Sequence, residues 1–329
     1  MLEADQPGEG ASGRNGGFVF AGYSLGNSSL IRTLGRDRAR LMHGWTRDAV
    51  ALIARRAESC AGCQINRAGV LLADWFHDDA SLRCYADEMR EVLDFGLEWV
   101  GRTELDQWVR SSRYGSGLFE PGSFHLQPLG YVHGLLSGLF EQGVRVFAGS
   151  PVRKLQNHRA GWRLELPEGN IMADEVVIAT GGYDRPLLPT VQRAIQPVAT
   201  YIAVTEPLEG LADLLPAEAA IYDTRFAFDY YRPLPDRRLL WGGRISMAAL
   251  SPARCVTGGC RSGTRPESSC KRFPTACRNF PTCYRGEMRH TKSKILGILY
   301  PNVAGRGLCD GRGKRTPPIS GLLVPFGGA

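Results

Sequence analysis

The amino-terminal segment carries the residues whose spacing suggests the most specific chemistry. Its glycines follow the pattern Gly8-x-Gly10-x-x-Gly13, which is typical of turns whose backbone amides bind the phosphates of a dinucleotide. That chemistry requires a buried apolar strand before the first glycine and a helix that begins at the last one. Residues 1–7 are mostly polar and end in proline, and the residues after Gly13 do not favour a helix. We therefore interpret this pattern as a loop and not as a phosphate-binding turn.

Glu3 fits another position of a dinucleotide site. In such folds, an acid at the end of the second strand binds the ribose hydroxyls of the adenosine half. The first strand, the glycine turn and the first helix precede that acid, whereas only Met1 and Leu2 precede Glu3. The sequence therefore predicts a site that begins at its second strand. A solvated terminal glutamate is the alternative interpretation.

Cysteine spacing indicates no metal site. Cys60-x-x-Cys63 fits either a redox pair or half of a zinc site, but no second pair follows at zinc spacing and no thioredoxin-like strand precedes it. Six more cysteines lie after residue 250 without a C-x-x-C among them, and His290 is the only histidine there. We interpret Cys60 and Cys63 as structural cysteines and predict no metal.

Composition divides the chain near residue 250. The net charge is +7 over 329 residues, but residues 251–329 hold 14 Lys+Arg and 3 Asp+Glu, whereas residues 1–250 hold 26 and 30. Apolar residues lose their periodicity after residue 250, and the apolar patch 295–300 is short and isolated. We predict an irregular, basic and cysteine-rich tail that is disordered. A shifted reading frame beginning near residue 250 is one hypothesis for it, and sequencing of the gene tests that hypothesis.

The length permits one large or two modest domains. No apolar run is long enough to span a membrane, and no secretory signal is visible, so we expect a cytoplasmic protein.

Periodicity predicts alternating helices and strands in residues 1–250. Helical spacing favours helices over 37–60, from a cap at Ser81 to about residue 99, and over 128–142. Apolar runs and alternation predict strands at 69–73, 144–147, 152–156, 162–166, 200–205, 220–222, 226–231 and 239–243, and a buried strand at 175–180.

Residues 2–250 resemble the FAD-dependent oxidoreductases of the D-amino-acid oxidase superfamily, in particular the glycine/sarcosine oxidase-like and gamma-glutamylputrescine oxidase-like enzymes. The resemblance rests on four segments in the family's order: LEAD with GASGRNGG in 2–17, HLQPLGYVHGLLSGLFEQGVRVFAGSPV in 125–152, ADEVVIATGGY in 173–183 and YYRPLPDRRLLWGGR in 230–244.

The resemblance implies a set of residues that bind FAD. Glu3 matches the ribose-binding acid, and the loop along the pyrophosphate and flavin matches Ala11, Ser12, Gly13, Arg14, Asn15, Gly16 and Gly17. Val152 matches a backbone contact to adenine, and Ala179, Thr180 and Gly181 match the strand end beneath the cofactor. Relatives place the segments of His125, Tyr230, Tyr231 and Arg232 in the substrate sheet, which makes these four residues candidates on the substrate side, with core packing as the alternative.

The implied reaction is hydride transfer from a C–H bond beside an amine to the flavin, with dioxygen or another acceptor reoxidising it. The implied fold is α/β, with an incomplete Rossmann-like FAD domain (1–60 and 126–190), a substrate domain on a mixed sheet (61–125 and 191–250) and the tail (251–329). Because the first strand and its helix do not precede Glu3, we expect weak or absent FAD binding and impaired activity.

Two alternatives to an amine or amino-acid oxidoreductase remain at this point. One is a non-catalytic remnant of such an enzyme. The other is a protein whose basic tail binds nucleic acid, which the scarcity of aromatic residues for base stacking does not favour.

Overall fold

A computed structural model describes residues 1–159, 161–181, 187–189 and 195–246 and the strand Lys294–Asn302. The helices in this part of the chain are α1 (Asn27–Leu34), α2 (Arg36–Glu58), α3 (Asp79–Leu93), α4 (Pro128–Glu141) and α5 (Leu211–Leu214). The strands are β1 (Phe18–Val19), β2 (Val70–Ala73), β3 (Glu98–Val100), β4 (Gly117–Glu120), β5 (Phe124–His125), β6 (Lys154–His158), β7 (Gly161–Leu166), β8 (Gly169–Ala173), β9 (Gln196–Val204), β10 (Ala220–Asp223), β11 (Tyr230–Pro233), β12 (Leu239–Ser246) and β13 (Lys294–Asn302). These elements confirm the predicted α/β class.

An eight-stranded mixed sheet dominates the fold. Its strand order is β13-β9-β12-β11-β10-β2-β4-β3, and β10 and β2 are its parallel pair, whereas the other neighbours are antiparallel. Strands β6, β7 and β8 form a separate antiparallel sheet, and β1 pairs with β5. None of the described helices is long and apolar enough to cross a membrane.

Alternation along the strands gives the large sheet two different faces. The back face carries Leu71, Ile221, Tyr231 and Leu239, which pack with the residues of α5 and of the 3-10 turn Leu105–Gln107 in one buried cluster. The front face carries the residues between them in the strands, including Val70, Ala220, Tyr230, Arg232, Leu240 and Gly242. The amino-terminal segment 11–20 packs against the front face.

Local signals set the helix ends. Asp78 caps α3, because its carboxylate accepts the Ser81 amide at 3.0 Å, so the predicted cap at Ser81 is wrong by three residues. Helix α4 begins with proline, whose missing N–H costs nothing in the first turn, and the Gln127 side chain accepts the Gly130 amide at 2.6 Å.

Three predictions about strands are corrected. Residues 144–147 contribute a single parallel bridge, Leu2 with Phe147. Residues 175–180 form no strand, and Val177 is 91% exposed, because no described strand hydrogen-bonds to this apolar run and shields it. The patch 295–300, predicted to be irregular, lies in β13, which pairs along its whole length with β9; an edge strand needs only a partner strand and no core of its own. The rest of the predicted tail lies outside the described residues.

Candidate active site

The glycine-rich segment after Glu3 is a series of turns. The Gly13 amide donates to Gly10 O at 3.3 Å and the Arg14 amide donates to Ala11 O at 3.2 Å. Residues 1–7 form no strand, and the first described helix begins at Asn27, well past Gly13. The interpretation of the Gly8–Gly13 pattern as a loop is therefore confirmed.

Asn15 fixes the conformation of this loop. Its side-chain amide donates to Ala11 O at 3.1 Å and to Ser12 O at 3.0 Å, and its side-chain carbonyl accepts the Gly17 amide at 2.8 Å. Asparagine has both donors and an acceptor on one short side chain, which lets it satisfy backbone groups on both sides of a turn. The loop therefore has a defined shape without help from a regular element.

Gly16 and Gly17 lie where the loop meets the front face of the sheet. A methyl group on Gly16 would lie 2.7 Å from the Tyr230 ring, and one on Gly17 would overlap Leu126 O. Gly17 also has φ +74°, a conformation that costs other residues energy. Both positions therefore require glycine, as expected for a place of close backbone approach.

Arg232 holds the loop to the sheet. Its buried guanidinium donates to Gly16 O at 2.6 Å, to Leu126 O at 2.8 Å and to Nδ1 of His125 at 3.3 Å. All three acceptors are neutral, and burial lowers the pKa of Arg232 to about 10, which leaves it charged at neutral pH. The structure thus assigns this substrate-side candidate to an anchoring position beneath the loop.

His125 is buried beside Arg232. Because arginine only donates, Nδ1 of His125 accepts, and Nε2 carries the proton that is donated to Glu218 O at 3.2 Å. Burial, and then the charge of Arg232, lower the pKa of His125 to about 4, so the ring is neutral at pH 7. The geometry gives His125 the role of a fixed acceptor for Arg232.

Tyr230 and Tyr231 lie on opposite faces of the sheet. The Tyr230 ring lies against Gly16 and Gly242, and both glycines leave room for it. Tyr231 is buried on the back face, where its hydroxyl donates to the Tyr114 hydroxyl at 3.2 Å and its ring stacks on Trp241. Tyr230 therefore faces the loop, whereas Tyr231 belongs to the core behind it.

Aromatic rings on the front face were not singled out in the sequence. Phe18 meets Tyr230 edge to face, Phe20 stacks on Tyr222 with centroids 5.3 Å apart, and Phe228 contacts both tyrosines. The sequence pattern that could have identified Phe18 and Phe20 is the alternation in the segment Gly17–Phe20, because it places both rings on one side of an extended chain.

Glu120 borders these rings. Its carboxylate accepts the Ala21 amide at 3.3 Å, and burial raises its pKa. Nothing in the sequence around Glu120 distinguishes it from a solvated acid, and only the sheet brings it to this position.

Glu3 lies at the end of a short parallel pairing. Its amide donates to Phe147 O at 2.9 Å and its carbonyl accepts the Ser150 amide at 2.8 Å, which brings Glu3 close to the segment that leads to Val152. The half-buried Glu3 carboxylate accepts the Asp5 amide at 3.2 Å. Ala179, Thr180 and Gly181 are exposed and outside any strand, so the predicted strand end beneath a cofactor is not formed.

A family model, DAO, described as FAD dependent oxidoreductase, matches residues 1–282, and the chain belongs to this family. FAD is the cofactor of the family, in agreement with the cofactor predicted from the sequence.

Relatives of known sequence or structure agree with this assignment. The chain is 28% identical over 263 residues to the "Probable oxidoreductase OrdL" of Haemophilus influenzae, covering 75% of this chain and 59% of the relative. It is 28% identical over 259 residues to the gamma-glutamylputrescine oxidoreductase of Escherichia coli, covering 77% and 60%. The fold resembles the crystal structure of glycine oxidase from Geobacillus kaustophilus with a TM-score of 0.68 at 16% identity, covering 92% of this chain and 76% of that one. The chain thus spans about three fifths of the length of these curated relatives.

The residues present fit FAD at its adenosine ribose. The Glu3 carboxylate has acceptor capacity left for ribose hydroxyls, because it receives one backbone amide within the described residues. Gly16 and Gly17 bring the backbone of the loop against the Tyr230 ring and Leu126 O, where a side chain would clash with the protein itself. The exposed segment 179–181 shows no comparable fit.

Proposed function

We propose that this chain is an FAD-dependent oxidoreductase that oxidises an amine or amino acid at a C–N bond. The observation that supports it most is the Asn15-locked loop, whose glycines lie against Tyr230 and are held by Arg232. The protein supplies the binding and orientation of a flavin, and this arrangement of closely packed backbone beside an aromatic surface would form one wall of its site.

Each part of the cofactor has proposed contacts. Glu3 would bind the ribose hydroxyls, and the backbone and side chains of Ala11, Ser12, Gly13, Arg14 and Asn15 would lie along the pyrophosphate. Gly16 and Gly17 would approach the flavin ring, and Val152 would contact adenine through its backbone. Ala179, Thr180 and Gly181 would have to move from their exposed positions to pass beneath the cofactor.

FAD bound in this site supplies the hydride acceptor, and dioxygen or another oxidant completes the turnover. The chain's own residues position the substrate. Tyr230 lines the front face next to the loop, and the neutral His125 keeps Arg232 directed at Gly16 and Leu126. Phe18 is buried on that face, and Phe20 and Tyr222 pack against it and limit the access of water. None of these side chains has to act as a general base.

An amine substrate fits the front face. Aromatic faces and a carboxylate attract ammonium groups, and Glu120 lies beside the rings of Tyr222 and Phe20. The relatives are named after glycine, gamma-glutamylputrescine and dimethylglycine, all of which carry a C–H bond next to nitrogen. We propose a small amine or amino acid of this kind.

Titration of the full chain with FAD and FMN tests the cofactor site. Glu3→Gln should weaken FAD binding about tenfold, because one charged hydrogen bond is lost, and should leave FMN affinity unchanged because FMN lacks the adenosine ribose. Glu9→Gln in the same loop is the matched control and should not change either affinity. Equal weakening for both flavins would remove Glu3 from the proposed role.

A non-catalytic family member is the second candidate, and the exposed segment 175–181 favours it. Oxygen consumption and dye reduction with glycine, sarcosine, dimethylglycine and gamma-glutamylputrescine distinguish the two candidates. Turnover with any of them supports the oxidoreductase. No stoichiometric flavin after gel filtration and no turnover with added FAD supports the non-catalytic protein.

A further inference from the structure

The pair Cys60 and Cys63 is not used by the proposed site. Cys60 follows the last turn of α2, and the Cys63 amide donates to Cys60 O at 3.1 Å, which closes a four-residue turn. The ends of such a turn have Cα atoms less than about 7 Å apart, and disulfides span Cα separations of about 4.4–6.8 Å. The Cα atoms of Cys60 and Cys63 therefore lie about as far apart as those of a disulfide.

The two thiols form a hydrogen-bonded chain. Cys60 donates its S–H to Gly130 O at 3.2 Å, and its sulfur is the hydrogen-bond partner of Cys63. Cys63 is completely buried, whereas Cys60 is half-buried. Burial, followed by the hydrogen bond with Cys60, raises the pKa of Cys63 to about 12. Of these two thiols, only Cys60 is accessible to a reagent from solution, and the buried Cys63 is its hydrogen-bond partner.

Helix α4 leaves room for this arrangement. A methyl group on Gly134 would overlap Sγ of Cys60, and one on Gly130 would overlap Gly62 O. Cys63 O also accepts the Gln127 amide at 2.7 Å, next to Leu126, whose amide donates to Gly17 O. The turn that carries both thiols is thus held in place from two sides, and it connects to the glycine loop through two backbone hydrogen bonds.

We propose that Cys60 and Cys63 form a reversible redox-active dithiol, oxidised by peroxide. The Cys60 sulfur attacks one oxygen of hydrogen peroxide, the O–O bond breaks, and Cys60 sulfenic acid and water form. The Cys63 sulfur then attacks the Cys60 sulfur, the S–OH bond breaks, and a disulfide and a second water form. Each departing hydroxide takes the proton of one thiol, Cys60 in the first step and Cys63 in the second. A small dithiol then reduces the Cys60–Cys63 disulfide by thiol–disulfide exchange and is itself oxidised to a disulfide.

Peptide mass spectrometry on the reduced full chain tests the proposal. Trypsin releases residues 57–67 as one peptide that contains both thiols, and residues 84–90 as a peptide with the exposed Cys84. After mild peroxide treatment and alkylation, the 57–67 peptide should lose two hydrogens and both alkylation sites, and dithiothreitol should restore both. Cys84→Ser is the matched control and should leave this result unchanged.

A variant that lacks Cys63 distinguishes disulfide formation from oxidation of Cys60 alone. Cys63→Ser should let the Cys60 sulfenic acid persist, so that dimedone labels residues 57–67 in the variant and not in the native chain. Three results would overturn the proposal. The first is that both cysteines of the 57–67 peptide are still alkylated after peroxide has oxidised Cys84. The second is sulfinic acid on Cys60 with Cys63 still alkylated, and the third is a disulfide from either cysteine to another part of the chain.

Discussion

Arg232 shows how one side chain organises the candidate site. A buried guanidinium with neutral partners is costly, because burial opposes its charge, and three well-directed hydrogen bonds offset that cost. Its partners belong to the glycine loop, to Leu126 and to His125, which are distant in sequence. Arg232 therefore joins the segments that the proposed flavin site requires.

Replacement of Arg232 by methionine should lower the free energy of unfolding by about 3 kcal/mol. The change leaves Gly16 O, Leu126 O and Nδ1 of His125 without their donor, and each buried acceptor costs about 1 kcal/mol or more. Urea denaturation measures the loss. Arg90→Met, at an exposed arginine paired with Asp87, is the control and should change stability by less than about 0.5 kcal/mol. Equal effects of the two substitutions would contradict the anchoring role.

His125 predicts a pH dependence of stability. Its pKa is about 4 in the folded chain and about 6.5 when unfolded, so the unfolded state binds the proton first as pH falls. The contribution of His125 is complete above pH 6.5 and is lost between pH 6.5 and pH 4, by about 3 kcal/mol at most.

His125→Gln tests this pH dependence, because the glutamine amide can accept from Arg232 and donate to Glu218 O without titrating. Urea denaturation at pH 7.5 and pH 4.5 should show a smaller loss of stability for the variant than for the native chain. His43, which is also buried and has a pKa of about 4, remains in both proteins and contributes equally. An unchanged pH dependence in the variant would assign the effect to other groups.

At the scale of elements, close packing of α4 depends on its glycines. Gly130 lies against the backbone of Gly62, whereas Gly138 has open space around the position of a methyl group. Gly138 lies in the interior of the helix and Gly130 lies in its first turn, and alanine is favoured over glycine within a helix by up to about 1 kcal/mol. The helical preference therefore favours alanine at Gly138, whereas tertiary packing opposes a side chain at Gly130.

Gly138→Ala should stabilise the protein by about 0.5–1 kcal/mol, because the helical preference of alanine acts alone. Gly130→Ala should destabilise it by about 2 kcal/mol or more, since backbone must move to admit the methyl group. Thermal unfolding of the two variants measures both effects. A stabilising Gly130→Ala would show that α4 does not pack against the Cys60–Cys63 turn as closely as described.

At the scale of the whole molecule, the large sheet should set the order of local stability. Strands β2, β10 and β11 have neighbours on both sides and core on both faces, whereas β3 lies at an edge. Amides of the central strands should therefore exchange with solvent slowest, and those of β3 faster by at least about tenfold. Hydrogen exchange followed by mass spectrometry measures this, and equal protection of β3 and β11 would contradict it.

Sequence patterns were sufficient for elements whose signals are local. The helices predicted over 37–60 and 128–142 and the alternating strands β6 and β7 appear in the structure close to where they were predicted. Sequence patterns failed where the burial or pairing of a segment depends on a strand that is distant in sequence. The run 175–180 has the composition of a buried strand, but none of its residues is buried. The patch 295–300 is short and isolated in the sequence, and its pairing in β13 depends on β9, which lies far away along the chain.

The sequence by itself determined the family, the cofactor and the loop of glycines, because motif order and residue types are written along the chain. Only the tertiary structure decided which of two adjacent tyrosines faces the loop, since strand alternation places Tyr230 and Tyr231 on opposite faces and the register selects the face. It also decided that Arg232 and His125 anchor that loop. Their roles depend on contacts between segments more than 100 residues apart, which no local pattern encodes.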